Sequence, residues 1–163
     1  MIIHIIIGSI IILALVFIFI YNNLVSVSNQ CDEAWSNINT ELKRRHDLIP
    51  NLVSVVKGYA VHEQSLLQEI VRLREVAINN RGSITSQATS ESALQKSLEN
   101  LLVRVEAYPN LKASQNFLEL QRELANTEDR IQAALRFYNG NVRENNNNIR
   151  QFPSNIIANL FNF

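Results

Sequence analysis

Three histidines, one cysteine and fifteen acidic side chains are the groups in this 163-residue sequence best suited to hold a metal, attack a carbonyl or move a proton. His62-Glu63 supplies the start of a helical zinc-hydrolase site, which needs a second histidine four positions after the first so that both imidazoles share one helix face. Position 66 is Leu66, so that site cannot form. His46 and His62 fall on either side of a break expected near Pro50, and a solvated or hydrogen-bonded histidine is the simpler reading of each. His4 sits in an apolar run and is expected to stay neutral or reach headgroups. Cys31 as a nucleophile needs a base meeting it in space. It falls instead on an apolar helical period beside Trp35, where a free cysteine behaves as a small buried hydrophobe. A lone cysteine also excludes an internal disulfide, and no Cys/His set has zinc spacing.

Paired carboxylates do acid–base work when burial splits their pKa values. Glu41 with Asp47, and Glu128 with Asp129, are the pairs to weigh. Glu128 lies on the inner period of its helix, where a polar residue commonly sets register or makes a buried hydrogen bond. The widest enzymatic reading is a site between helices built from Asp47, Asn51, Glu63 and Glu128. Arg136, Arg143 and Arg150 recur every seven residues and share a helix face; with Lys43, Arg44 and Arg45 they could bind anionic lipid or a partner. The net charge of zero favours a solvated flank paired with Glu119, Glu123 and Glu144, and argues against a nucleic-acid binder. No glycine-rich phosphate loop exists. These residues assign no catalytic, cofactor-binding or metal site, no cofactor and no small-molecule substrate.

The elements that position them start with MIIHIIIGSIIILALVFIFIY, which carries no Asp, Glu, Lys or Arg from Ile2 to Ile20. About 20 residues at roughly 1.5 Å rise cover a hydrocarbon core of about 30 Å, and in lipid only a helix satisfies their backbone. Tyr21 stands where an aromatic ring favours the interface. A cleaved signal peptide would need a basic start, a shorter run and a small-residue cleavage site, none of which is present. The first basic residues beyond the run are Lys43, Arg44 and Arg45; on a straight helix Lys43 stands about 33 Å past Tyr21. That weak signal leans toward a cytoplasmic helical region.

Four apolar periods follow. The first (Leu24, Val27, Cys31, Trp35, Ile38, Leu42) extends the membrane helix and is expected to stop around Ile49, because Asp47 and Pro50 interrupt it. The second (Leu52, Val56, Tyr59, Leu66, Ile70, Leu73, Ala77) ends at Asn79-Asn80-Arg81-Gly82-Ser83. The third runs from about Thr85 to Ala107 on Ala88, Leu94, Leu98, Leu101, Leu102 and Val105, its first half weakly apolar. The fourth begins after Ser114 on Phe117, Leu120, Leu124, Ile131, Leu135, Tyr138, Val142 and Ile149, with Gly140 and the Asn145–Asn148 run expected to loosen its end. Phe152-Pro153-Ser154-Asn155 then turns into the apolar tail IIANLFNF. The expected fold is all-α: a transmembrane anchor over 1–21, an antiparallel four-helix bundle of long, coiled-coil-like helices over 22–151, and a tail over 152–163 that packs on the bundle or the membrane.

Several blocks resemble the LemA family of bacterial membrane proteins: Tyr21-Asn22-Asn23-Leu24-Val25, Ala34-Trp35-Ser36-Asn37-Ile38, LKRRHDLIPNLVSVVKGYAVHE from Leu42 to Glu63, VEAYPNLKASQNFLELQRELANTEDRI from Val105, RFYNGNV from Arg136 and FPSNIIANLF from Phe152. Cys31 departs from the aliphatic residue expected there. The resemblance implies an N-terminal anchor and an antiparallel helical bundle, and it brings no catalytic residue or cofactor to carry over. The function expected is a single-pass cell-membrane scaffold, in contact with the bilayer through residues 2–21 and with a protein partner through its helices. The alternatives are a lipid- or envelope-interacting protein acting through its tail and, further off, the inter-helix enzyme.

Overall fold

The structure, a computed structural model, describes residues 1–163 apart from the side chain of Val61. Its regular elements are helices throughout: α1 (Ile2–Lys57), a 3₁₀ turn (Val61–Glu63), α2 (Gln64–Asn79), α3 (Ile84–Val105), α4 (Pro109–Lys112), α5 (Gln115–Arg150) and α6 (Ser154–Phe161). With four glycines and three prolines, little in the chain interrupts a helix, and the all-α class holds. The chain divides into two compact units, Met1–Asn39 with Gln132–Phe163, and Thr40–Ile131.

In the Thr40–Ile131 unit the first helix does not stop near Ile49. It runs to Lys57 with Pro50 inside it. A proline there lacks the N–H that would bond the carbonyl four residues back, a loss that with ring crowding costs about 3 kcal/mol. The orphaned acceptor is His46 O, and Arg74 Nε from α2 donates to it at 2.7 Å. Continuing the helix also keeps Ile49, Leu52 and Val56 on one inward face, all fully buried. The guanidinium thus replaces the missing amide, and burial favours the unbroken register. Arg74→Ala should destabilise this unit by about 1.5–3 kcal/mol, the loss of a charge-assisted bond to a buried carbonyl. In a Pro50→Ala background the same substitution should cost less, because an alanine amide can reach His46 O. Equal costs in both backgrounds, read by urea unfolding, would remove this account.

The second expected helix is therefore divided. Its first part belongs to α1, which tightens at its end through Gly58 N to Val55 O and Tyr59 N to Val56 O. Tyr59 lies in the resulting break and is exposed, not inward-facing. The Asn80–Ser83 turn is closed by side chains: Gly82 N donates to Asn80 Oδ1 at 2.9 Å, and Ser83 Oγ accepts from Ser86 N at 3.2 Å as the N-cap of α3. Ala88, read as inward, is exposed; the inner face of α3 starts later, at Leu94, Ser97, Leu98, Leu101 and Val105. Leu94, Leu98, Leu101 and Val105 pack with Ile49, Leu52, Ile70, Leu111 and Phe117 into one core.

In the other unit, Leu24 of α1 is fully buried against Ile157 and Ala158 of α6. Trp35 and Tyr138 stack with ring centroids 5.4 Å apart. The buried Asn141 donates from Nδ2 to Gln30 O at 3.2 Å. The asparagine run expected to loosen α5 stays helical to Arg150, where Gln151 N bonds Asn147 O and Ser154 Oγ donates to Asn148 O. Among the described residues, α1 alone is long and apolar enough to cross a membrane, and none of its most apolar window is covered by the protein itself. It is compatible with a membrane anchor.

Candidate functional site

The densest chemistry in the Thr40–Ile131 unit lies where α1, α3 and α5 each turn a charged residue inward. Arg45 comes from the stretch of α1 that also buries Ile49 and Leu52, and it is only 3% exposed. Its Nη2 donates to Glu91 of α3 at 2.5 Å and its Nη1 to Glu128 of α5 at 3.1 Å. The neighbouring His46, also buried, places Nε2 at 3.0 Å and 3.2 Å from the two Glu91 oxygens. Arg45 Nε is buried with no hydrogen-bond partner.

Burial alone pushes the Glu91 carboxyl up. The hydrogen bond and positive charge that His46 supplies when protonated, then those of Arg45, outweigh it and hold Glu91 below the ordinary carboxylate range. Glu91 is therefore an ionised acceptor, the opposite of the raised, protonated carboxyl that a general acid needs. The Arg45 guanidinium already bridges the two carboxylates, in the position a cation would otherwise take. One buried guanidinium thus ties α1 to both α3 and α5.

Beside it opens a cavity of about 210 Å³ with Leu52, Leu98, Leu102, Leu124 and Ala125 on its walls and Arg45, Gln95, Glu99, Gln121 and Glu128 as its polar groups. Its surface is chiefly apolar.

The residues singled out from the sequence do not assemble. Asp47, Asn51, His62 and Asp129 are exposed. Glu63 is engaged elsewhere, accepting from Arg104 Nη1 at 3.1 Å and from Tyr108 Oη at 3.2 Å. Glu41 lies 3.8 Å from Arg44 and 3.9 Å from Arg130. So Glu128 alone of the four residues in the inter-helix reading joins the cluster. The supposed basic patch is also divided: Lys43 and Arg44 are exposed, but Arg45 is buried, because Leu42, Arg45, Ile49, Leu52 and Val56 follow one inward period. Arg136, Arg143 and Arg150 are exposed. Cys31 is half-buried where full burial was expected, and burial, Asp32 and Glu144 all push its thiol up, away from the reactive thiolate. Sequence reasoning missed Glu91 and the inward role of Arg45. The signal was available: Glu91, Leu94, Leu98 and Leu101 are spaced by threes and fours, so a charge sits on the apolar period of α3.

The LemA family model matches residues 34–163. The protein LemA of Metamycoplasma hominis is 30% identical over 88% of this chain and 67% of its own length. Two magnetosome proteins of Paramagnetospirillum magneticum, MamQ 2 and MamQ 1, are each 23% identical over 88% of this chain and 62% of their own length. The chain thus spans roughly two thirds of these curated relatives. The matched region contains the whole Arg45–His46–Glu91–Glu128 cluster, α5 and α6. On this match the chain belongs to the LemA family.

Proposed function

We propose that this chain is a single-pass cell-membrane protein whose helices form a non-catalytic scaffold for another protein, with the helical region on the cytoplasmic side. One observation carries the anchor: the run from Ile2 to Phe19 is apolar and almost wholly exposed. Leaving it in water would forfeit about 25 cal/mol for each Å² of apolar surface, whereas a bilayer covers it and its helix satisfies every amide. The scaffold reading rests on how the polar chemistry is used. The buried charges bind one another, Glu63 is held by Arg104 and Tyr108, and Asp47, Asn51, His62 and Asp129 face solvent. A stable body with an apolar cleft remains, which suits contact more than turnover.

The full-length chain should sediment with membranes after a high-salt wash and be released by detergent. Deleting residues 2–20 should move it almost entirely to the supernatant. Recovery of the intact chain in the aqueous fraction would end the reading. Side is read with Arg81→Cys in a Cys31→Ser background, since Arg81 is exposed while a side chain at Gly82 would crowd Asn80 Oδ1 and Ser86 Oγ at 3.1 Å. The cytoplasmic placement requires that an impermeant maleimide label this cysteine only after the cell membrane is opened.

A further inference from the structure

The segment from Gln151 to Phe163 contains no Asp, Glu, Lys, Arg or His, and α1 carries its first charge only at Asp32. Two uncharged stretches meet in one unit. Ile157 and Ala158 are buried against Leu24. Further along α6, the Phe161 ring lies 4.9 Å from the Tyr21 ring and 6.0 Å from the Phe17 ring, and Phe163 lies 5.9 Å from Tyr21. These are ordinary edge and tilted aromatic contacts. Their placement matters more: Phe17 lies inside the run assigned to the bilayer, one turn before Tyr21. A ring that touches Phe17 from outside α1 stands at the same depth.

The other side of α6 has no protein cover. Ile156 and Leu160, four residues apart, share one helix face and are 59% and 66% exposed; Phe161 is 46% exposed. Asn155, Asn159 and Asn162 supply neutral amides between them. Uncharged apolar side chains interleaved with amides and aromatic rings, beside the end of a spanning helix, match the headgroup–acyl boundary.

We propose that α6 is an interfacial membrane helix, with Ile156, Leu160 and Phe161 in the lipid boundary, and that by clasping α1 at Leu24, Tyr21 and Phe17 it sets how deep the anchor sits. This rests on the anchor reading above. The spanning run carries no Asp, Glu, Lys or Arg, and apart from Tyr21 and His4 near its ends it gives little to stop it sliding by a turn. A second helix bound to α1 at the surface provides that stop. A second copy of the chain is the rival cover for the same face.

The test uses the full-length chain in phosphatidylcholine–phosphatidylglycerol vesicles. Single cysteines in a Cys31→Ser background carry an environment-sensitive NBD label at Leu160→Cys, at Ile156→Cys, at Leu13→Cys in the span, and at Arg81→Cys. Leu160 and Ile156 are exposed, so labelling them leaves the packed face of α6 intact. The expected result is blue-shifted emission at 156 and 160, most of it lost when lipids spin-labelled near the headgroup are included, with no quenching at 81. Water-like, unquenched emission at 156 and 160 beside a blue-shifted label at 13 would overturn the proposal and leave the anchor standing. Water-like emission at 13 would overturn both. A blue shift that grows with protein density and ignores the spin label would assign the face to a second copy and also overturn it.

Discussion

Glu91→Ala is expected to destabilise the Thr40–Ile131 unit by about 3–5 kcal/mol, because it breaks a buried ion pair and leaves the other charge behind. Arg45, only 3% exposed, would keep Glu128 but lose its 2.5 Å contact, and His46 would lose its acceptor. Arg45→Met should be similarly costly, since it leaves Glu91 and Glu128 without the guanidinium between them. Arg45→Met together with Glu91→Leu should recover most of the loss, because a packed apolar replacement of a buried pair is commonly neutral or stabilising. Urea unfolding of the detergent-solubilised chain measures all three. An additive double variant would mean the two residues act separately.

The same carboxylate fixes the direction of the pH dependence. Glu91 has its folded-state pKa lowered, so the folded form binds its proton less readily than the unfolded chain does. Its contribution is therefore fully present above an unfolded value of about 4.3 and is lost as pH falls below that, through the folded pKa. Wild type should lose stability faster than Glu91→Gln as pH drops from about 5 to 3, over the range where carboxylates titrate. Parallel curves would show that Glu91 does not titrate against His46 and Arg45 as described.

Phe117→Ala is the second large effect. Phe117 is the bulkiest fully buried side chain, packed near the start of α5 among Ile49, Leu52, Leu111 and their neighbours. Truncating a core phenylalanine costs about 3–5 kcal/mol through lost transfer energy and the cavity left behind. Its neighbour Leu118 is 38% exposed, so Leu118→Ala should cost no more than about 1 kcal/mol. A thermal-unfolding midpoint moved equally by both variants would mean that α5 docks through another face. Phe117→Leu, which keeps most of the volume, should be the mildest change at this site.

Helix content, family and a long uncharged apolar run at the N-terminus were all legible along the chain, because each depends on local composition and period. The charged cluster was half legible. Arg45 and Glu91 occupy apolar-period positions just as Glu128 does, but a basic triplet at Lys43–Arg45 reads first as a surface patch and the start of α3 as loose. Period shows that a charge points inward; it does not say which opposite charge waits there. Partners 46 and 83 residues away in sequence are found only by folding.

By itself, then, the sequence determined that the chain is helical, that residues 2–20 form one apolar run without Asp, Glu, Lys or Arg, and that it is a LemA-family protein. Those properties follow from side-chain hydrophobicity at fixed spacing, which acts over a few turns. Tertiary structure alone decided that α1 continues through Pro50, where Arg74 from α2 bonds the carbonyl of His46 and Ile49, Leu52 and Val56 are buried on one face. It also decided that Glu91 stays ionised and that Cys31 is left half-buried. A missing amide, a buried charge and a partly covered thiol each take their energy from groups distant in the chain, and local propensity carries no term for them.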